Sequence, residues 1–133
     1  MLYVECNQCR QKTTSYCWCQ PCNSSNFRKE FDNWKSGNDN IDVFIKDVQL
    51  EATSSYKVLE WIPYLKFENI AYLAEGGFGK VYSASWSEGY ILYWNVKDNK
   101  WKRRGTTKVA LKCLNNSQSI TEEFLNEVTI IYR

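Results

Sequence analysis

A glycine-rich run and a lysine downstream of it are the residues whose types and order best suit chemistry in this 133-residue chain. The run is Gly76-Gly77-Phe78-Gly79-Lys80, and the lysine is Lys112. A glycine turn between two strands can bring backbone N–H groups against phosphates, because glycine has no Cβ in the way. A lysine on the next strand supplies a compact positive charge for phosphate oxygens. The pair predicts the phosphate-binding half of an ATP site.

The segment from Leu73 to Val81 resembles the glycine-rich loop that opens the N-terminal lobe of eukaryotic protein kinases. Gly76 and Gly79 match the second and third glycines of that loop, whereas Ala74 takes the place of the first. An alanine there costs about 1 kcal/mol if the backbone needs a positive φ. The resemblance implies a protein kinase that transfers the γ-phosphate of Mg-ATP to Ser/Thr or Tyr hydroxyls of a protein substrate, which the sequence does not identify.

The resemblance also implies roles for individual residues. Leu73, Val81 and Ala110 would enclose the adenine, Phe78 would cover the phosphates, and Lys112 would contact the α- and β-phosphates. The full set expected at the nucleotide is Leu73, Ala74, Glu75, Gly76, Gly77, Phe78, Gly79, Lys80, Val81, Ala110 and Lys112.

A helix is predicted after the lysine strand. Ser119-Ile120-Thr121-Glu122 has the form of a helix-capping box. The apolar residues that follow have a helical spacing and are Phe124, Leu125, Val128 and Ile131. The kinase resemblance implies a glutamate on this helix that pairs with Lys112, and Glu127 is the residue we expect there, so Lys112 and Glu127 are the predicted catalytic residues. The alternative is a glycine-turn hairpin followed by an unrelated amphipathic helix.

An insertion in residues 86–107 separates the glycine loop from Lys112 by more than in most kinases. Residues 90–96 are strongly β-prone and residues 97–100 are turn-forming, so we expect an extra β-hairpin that lengthens the strands between the loop and Lys112. Basic residues beside Trp94 and Trp101 could bind nucleic acid. We favour a solvated hairpin with cross-strand aromatic pairs, and expect no nucleic-acid partner.

Two Cys-x-x-Cys pairs near the start of the chain suit a metal site. Cys6 with Cys9 and Cys19 with Cys22 place four thiolates on two tight turns, which predicts structural zinc in a tetrahedral site. Disulfides and unligated thiols are the alternatives. Cys17 is a spare thiol or replaces Cys19 as a ligand.

Helical patterns connect the cysteines to the glycine loop. Apolar residues recur at helical spacing after the polar start signal Asn23-Ser24-Ser25, and again at Ile41, Phe44, Ile45 and Val48. These stripes are predicted core faces or docking faces for protein partners.

The sequence therefore predicts an α+β chain in three parts. Residues 1–26 are a cysteine-rich zinc knuckle, 27–66 a helical connector, and 67–133 a partial kinase N-lobe of antiparallel strands and one helix. With a net charge of +2 and no apolar run long enough for a membrane span, we expect no membrane partner and a cytoplasmic or nuclear protein.

The catalytic-loop H-R-D and the magnesium-binding D-F-G of kinases do not occur in these 133 residues, which contain no histidine. We therefore expect this chain to be inactive by itself and to be the N-terminal piece of a kinase whose Mg²⁺ ligands lie elsewhere. The alternative is a non-catalytic, kinase-like interaction protein that acts through its zinc knuckle and helices.

Overall fold

The structure, a computed structural model, describes residues 4–76, 79–114 and 129–132. In that part the chain is α+β, with two α-helices and antiparallel strands, as predicted. The elements are α1 Gln20–Glu30, α2 Asp39–Glu51, β1 Phe67–Gly76, β2 Gly79–Trp86, β3 Ile91–Asn95, β4 Lys100–Arg103, β5 Thr107–Leu114 and β6 Thr129–Tyr132. No helix among the described residues is both long and apolar enough to cross a membrane.

The chain forms two compact units. The first combines residues 1–61 with 91–103, and the second combines 62–90 with 104–133. Strands β3 and β4 are the predicted extra hairpin, but they form a two-stranded sheet of their own within the first unit. The expectation that this insertion lengthens the strands leading to Lys112 is therefore wrong.

Helix α1 begins earlier than its predicted start signal at residues 23–25. Cys19 is the N-cap residue and Pro21 lies in the first turn, where a missing N–H and a fixed φ favour helix initiation. Asn23 is consequently inside the helix and buried, and its side-chain oxygen accepts a hydrogen bond from Asn26 at 3.0 Å. The helix also runs across the division predicted at residue 26.

Helix α2 has a different buried face from the predicted apolar stripe. Ile45 is buried, as the stripe requires, but Phe44 is 62% exposed. Asp42 and Gln49 point inward, where each has a local partner. Asp42 accepts hydrogen bonds from Ser36, and the Gln49 amide donates to the Leu59 carbonyl at 2.9 Å. Such partners let polar side chains occupy a buried helix face, although the Gln49 side-chain oxygen, Oε1, has no hydrogen-bond partner among the described residues.

The core of the first unit is built around Trp18, which has no exposed surface. The Trp101 ring stacks on the Trp18 ring with 5.8 Å between centroids and lies 4.5 Å from the Phe27 ring. Trp94 is opposite Trp101 in the hairpin and contacts it edge-on at 4.9 Å. The predicted cross-strand aromatic pair is confirmed, but its rings pack into the core of the unit and the hairpin is not solvated on that side.

The second unit is a four-stranded sheet with the order β1-β2-β5-β6. One face carries its core, in which Trp86 packs with residues from both neighbouring strands. The buried members of that core are Phe67, Ala84, Trp86, Val109 and Leu111. Alternation along each strand places the intervening side chains on the opposite face.

Strand β6 occupies part of the stretch that the sequence pattern predicts to be a helix. Residues Thr129–Tyr132 pair antiparallel with β5, and Ile130 lies opposite Lys112. A helix reaching Ile131 is therefore wrong, because the β-branched and aromatic residues of this stretch favour a strand. The rest of that helix, including Glu127, lies outside the described residues.

The neck of the hairpin, where Gly89 precedes β3 and Gly105 follows β4, provides a test of this architecture. Gly89 and Gly105 both have positive φ, and a Cβ on Gly89 would overlap the Gly105 backbone, whereas a Cβ on Gly105 would meet nothing. Gly105→Ala should lower the free energy of unfolding by about 1 kcal/mol through its φ alone. Gly89→Ala should cost about 1–3 kcal/mol more through overpacking. Equal losses for the two variants in urea unfolding would contradict this neck geometry.

Candidate functional site

The first cysteine pair lies on a tight turn. The Arg10 amide donates to the Cys6 carbonyl at 2.9 Å, and Arg10 adopts a positive φ of 66°. The Gln8 amide points at the Cys6 sulfur, 3.4 Å away. An isolated antiparallel β-bridge between Glu5 and Lys12 pairs the chain on the two sides of this turn. The turn thus holds a sulfur atom against a backbone donor, which stabilises a thiolate.

The second pair lies at the start of a helix, so the prediction of a second tight turn is wrong. Cys19 caps α1, Cys22 is in its first turn, and the Asn23 amide donates to the Cys19 carbonyl at 2.9 Å. Free N–H groups and the helix dipole favour negative charge at this end.

The four sulfur atoms converge on one point. The Cys6 and Cys22 sulfurs are 3.8 Å apart, those of Cys9 and Cys19 are 3.6 Å apart, and all four lie within 4.8 Å of one another. Zinc–sulfur bonds of about 2.3 Å in a tetrahedron give sulfur–sulfur edges of about 3.8 Å. All four cysteines are free thiols in the structure. The group can therefore hold a metal ion.

Cys17 lies outside this group. Its side chain is exposed, whereas Cys19 is buried and supplies one of the four converging sulfurs. Between these two possible ligands, the structure brings Cys19 into the cluster. Cys17 itself has a positive φ of 55°, which turns the chain between the two pairs.

The environment perturbs the thiols in opposite directions. Burial raises the pKa of Cys19 and of Cys22, and the neighbouring cysteines raise the pKa of Cys22 further. Burial also acts on Cys6, but backbone N–H groups of Cys9 and Gln8 bring its pKa down to about 7. Several thiolates this close repel one another, so a bound cation favours their joint deprotonation.

Two side chains at and before the second cysteine pair, those of Gln20 and Trp18, cap the end of α2. The last carbonyls of a helix lack partners within the helix. The Trp18 indole N–H donates to the Ala52 carbonyl at 3.0 Å, and the Gln20 amide donates to the Leu50 carbonyl at 2.7 Å. Sequence reasoning missed these contacts, because nothing in the pattern of the first 20 residues identifies a partner near residue 50.

An ion pair that sequence reasoning also missed fixes the hairpin within the first unit. Both terminal nitrogens of Arg103 donate to the carboxylate of Glu60, at 3.2 and 2.6 Å. Both side chains are largely buried, and the bidentate geometry is specific to arginine. Arg103 therefore belongs to the structure of the hairpin and not to an exposed basic patch.

Those residues of the predicted nucleotide site that the structure describes lie on the sheet of the second unit. Val81 is directly opposite Lys112, and Ser83 is directly opposite Ala110, so all four share the face that lies opposite the core. Gly76 faces Gly79 where β1 and β2 meet. The structure thus brings the predicted adenine contacts Val81 and Ala110 beside the predicted phosphate-binding lysine.

The other residues predicted to contact the nucleotide are less closely grouped. Leu73 lies at an irregularity in the β1 register and is 58% exposed. Ala74, Glu75 and Lys80 are exposed strand residues, and Ala74 does not adopt a positive φ, so it carries no strain in place of glycine. Gly77 and Phe78 lie outside the described residues.

Two cysteine variants test whether the cysteine cluster is a metal site. We expect the chain to bind one zinc ion, and Cys9→Ser to weaken that binding by more than the about 10- to 100-fold typical of removing a group that only orients a ligand. Cys17→Ser, the matched control outside the cluster, should bind zinc as the unaltered chain does. Competition with a chromophoric chelator measures both affinities, and equal affinities for the two variants would contradict the ligand set.

Comparisons with known proteins identified no relative of this chain. No protein-family model, no curated protein and no solved structure matches this chain. Functional conclusions therefore depend on the two sites themselves.

Proposed function

We propose that the second unit is the phosphate-binding start of a protein-kinase N-lobe and that the protein transfers the γ-phosphate of ATP to protein hydroxyls. One observation carries the proposal: the register that sets Lys112 opposite Val81, two residues along β2 from Gly79, which pairs with Gly76. Two residues of strand span about 7 Å, so a phosphate beside Gly79 lies within reach of a lysine side chain. A lysine presents a compact charge that suits such a phosphate.

The face around Lys112 also suits a flat base. Val81, Ser83 and Ala110 are small side chains that lie side by side on this face, whereas the core face of the same strands carries Trp86. Small residues leave room for a ligand beside the sheet, and apolar ones remove its surface from water. In the proposed complex, Val81 and Ala110 contact the adenine and Lys112 contacts the phosphates.

We further propose that the metal in the first unit is zinc and that its role is structural. Four thiolate ligands fill a tetrahedral site and leave no open position for a reacting water or substrate. The sulfur–sulfur distances of 3.6 and 3.8 Å fit such a site. Zinc binding of this type contributes free energy to folding, and the cluster would restrain both ends of the loop that contains Trp18, a central residue of the core of this unit.

The catalytic base and the magnesium ligands of kinases are not among these 133 residues. The proposal for this stretch is therefore ATP binding, with Glu127 proposed to orient Lys112, and phosphoryl transfer requires further sequence. A second candidate function is a non-catalytic interaction protein, which the exposed apolar residues of α2 favour. ATP affinity separates the two candidates.

The test compares two lysines of one strand. Lys108 is on β5 with Lys112, on the same face, but lies opposite Ser85 at the far end of the strand, about 13 Å away. Lys112→Met should lower ATP affinity at least about tenfold, because a phosphate contact with a charged group is worth about 1.5–3 kcal/mol. Lys108→Met should leave the affinity unchanged.

Isothermal titration of each variant with ATP gives the affinities, and circular dichroism checks that both variants are folded. ATP binding that survives Lys112→Met, or that both substitutions weaken equally, would count against the proposed site. Absence of ATP binding by the unaltered chain would favour the interaction protein.

A further inference from the structure

Helix α2 exposes two apolar side chains. Val43 is 57% and Phe44 is 62% exposed, although Phe44 belongs to the stripe that the sequence pattern assigns to a core or docking face. Asp47 follows Phe44 by three residues and Val43 by four, and Glu51 follows Asp47 by four, so these side chains lie on the same side of the helix. These four residues, Val43, Phe44, Asp47 and Glu51, are the outer face of α2.

The outer face of α2 is negatively charged. Asp47 and Glu51 are exposed, and neither takes part in an ion pair within the described ranges of the chain. The lysine of the same helix, Lys46, is directed elsewhere: its ammonium lies 5.3 Å from the Phe31 ring and 5.5 Å from the Trp34 ring. A ligand for this face must therefore combine apolar contact with positive charge.

The hairpin of the same unit presents the opposite combination. Because Trp94 and Trp101 point into the core, their neighbours along each strand point outward, and Tyr93 lies opposite Lys102. The outer face of the hairpin consists of Tyr93, Val96, Lys97, Lys100 and Lys102, all of them exposed. Asp98, the acidic residue of the turn, is held by the Asn95 side chain.

We propose that a second copy of this chain docks here, with the outer face of its hairpin on the outer face of α2. Each face has exposed apolar residues beside charged ones, and the charges are opposite in sign. Such complementarity favours association in a defined register, while a single exposed charge pair contributes little. The net charge of the chain is only +2, so overall repulsion between copies is weak.

Each copy carries both faces, which allows a reciprocal contact. In a two-fold symmetric dimer, α2 of each copy meets the hairpin of its partner, and the contact occurs twice. The inference is independent of the proposed ATP site, because α2 and the hairpin both belong to the first unit.

The test uses the full 133-residue chain in sedimentation velocity. The helix-reversed variant carries Asp47→Lys and Glu51→Lys, and the hairpin-reversed variant carries Lys100→Glu and Lys102→Glu. Either variant alone should dissociate at least about tenfold more readily than the unaltered chain, since like charges then face each other. Raising the salt concentration from about 0.1 M to about 1 M, which shortens the Debye length from about 10 Å to about 3 Å, should weaken the unaltered dimer.

The decisive arm mixes the two variants. In their heterodimer, the reversed helix meets the reversed hairpin and the two unaltered faces meet each other, so both contacts are again attractive. We expect the equimolar mixture to dimerise with the affinity of the unaltered chain, although neither variant does so alone. This recovery also shows that both variants are folded.

Three results would overturn the proposal. The first is an unaltered chain that stays monomeric at hundreds of micromolar. The second is association that neither charge reversal weakens, as expected if it is mediated by the outer edge of β1, which pairs with no further strand among the described residues. The third is a mixture that remains monomeric while circular dichroism shows both variants folded.

Discussion

The burial of Trp18 is the constraint on which the first unit depends. This residue lies between the two cysteine pairs, has no exposed surface, and contacts the following helix and two segments that are distant in sequence. Its ring stacks on Trp101 of the hairpin and lies 6.3 Å from the Phe27 ring of α1, and its N–H donates to the carbonyl that follows α2. A buried indole that is both packed and hydrogen-bonded is among the most specific interactions available to a small core.

The cysteine cluster restrains the position of Trp18. Cys9 and Cys19 lie on either side of it in sequence, and their sulfurs are 3.6 Å apart, so closing the cluster fixes the chain at both ends of a short loop. The hairpin that covers Trp18 continues at one end from β2 and at the other into β5. These two strands carry Val81 and Lys112 in register. The cysteine cluster at the start of the chain is thus linked by chain connectivity to the strands of the proposed nucleotide site.

Structural features that depend on residues close together in sequence could be predicted from local sequence patterns. The four converging cysteines follow from two Cys-x-x-Cys pairs, and the lysine strand beside the glycine turn follows from β-prone residues on either side of glycines. Partners distant in sequence could not be predicted. The exposure of Phe44 depends on Asp42 and Gln49 finding polar partners on the buried side, and the place of the hairpin depends on Trp101 reaching Trp18. Helical or strand periodicity shows a side chain's face but not what covers it.

The most direct test of this account is amide hydrogen exchange of the zinc-loaded chain before and after the metal is removed with a chelator. If the cysteine cluster holds Trp18 and Trp18 holds the hairpin, the amides of β3 and β4 lose protection when the metal leaves, while those of β1 and β2 retain theirs. Unchanged protection of β3 and β4 after complete removal of the metal would contradict the account, because the hairpin would then be fixed without the cluster.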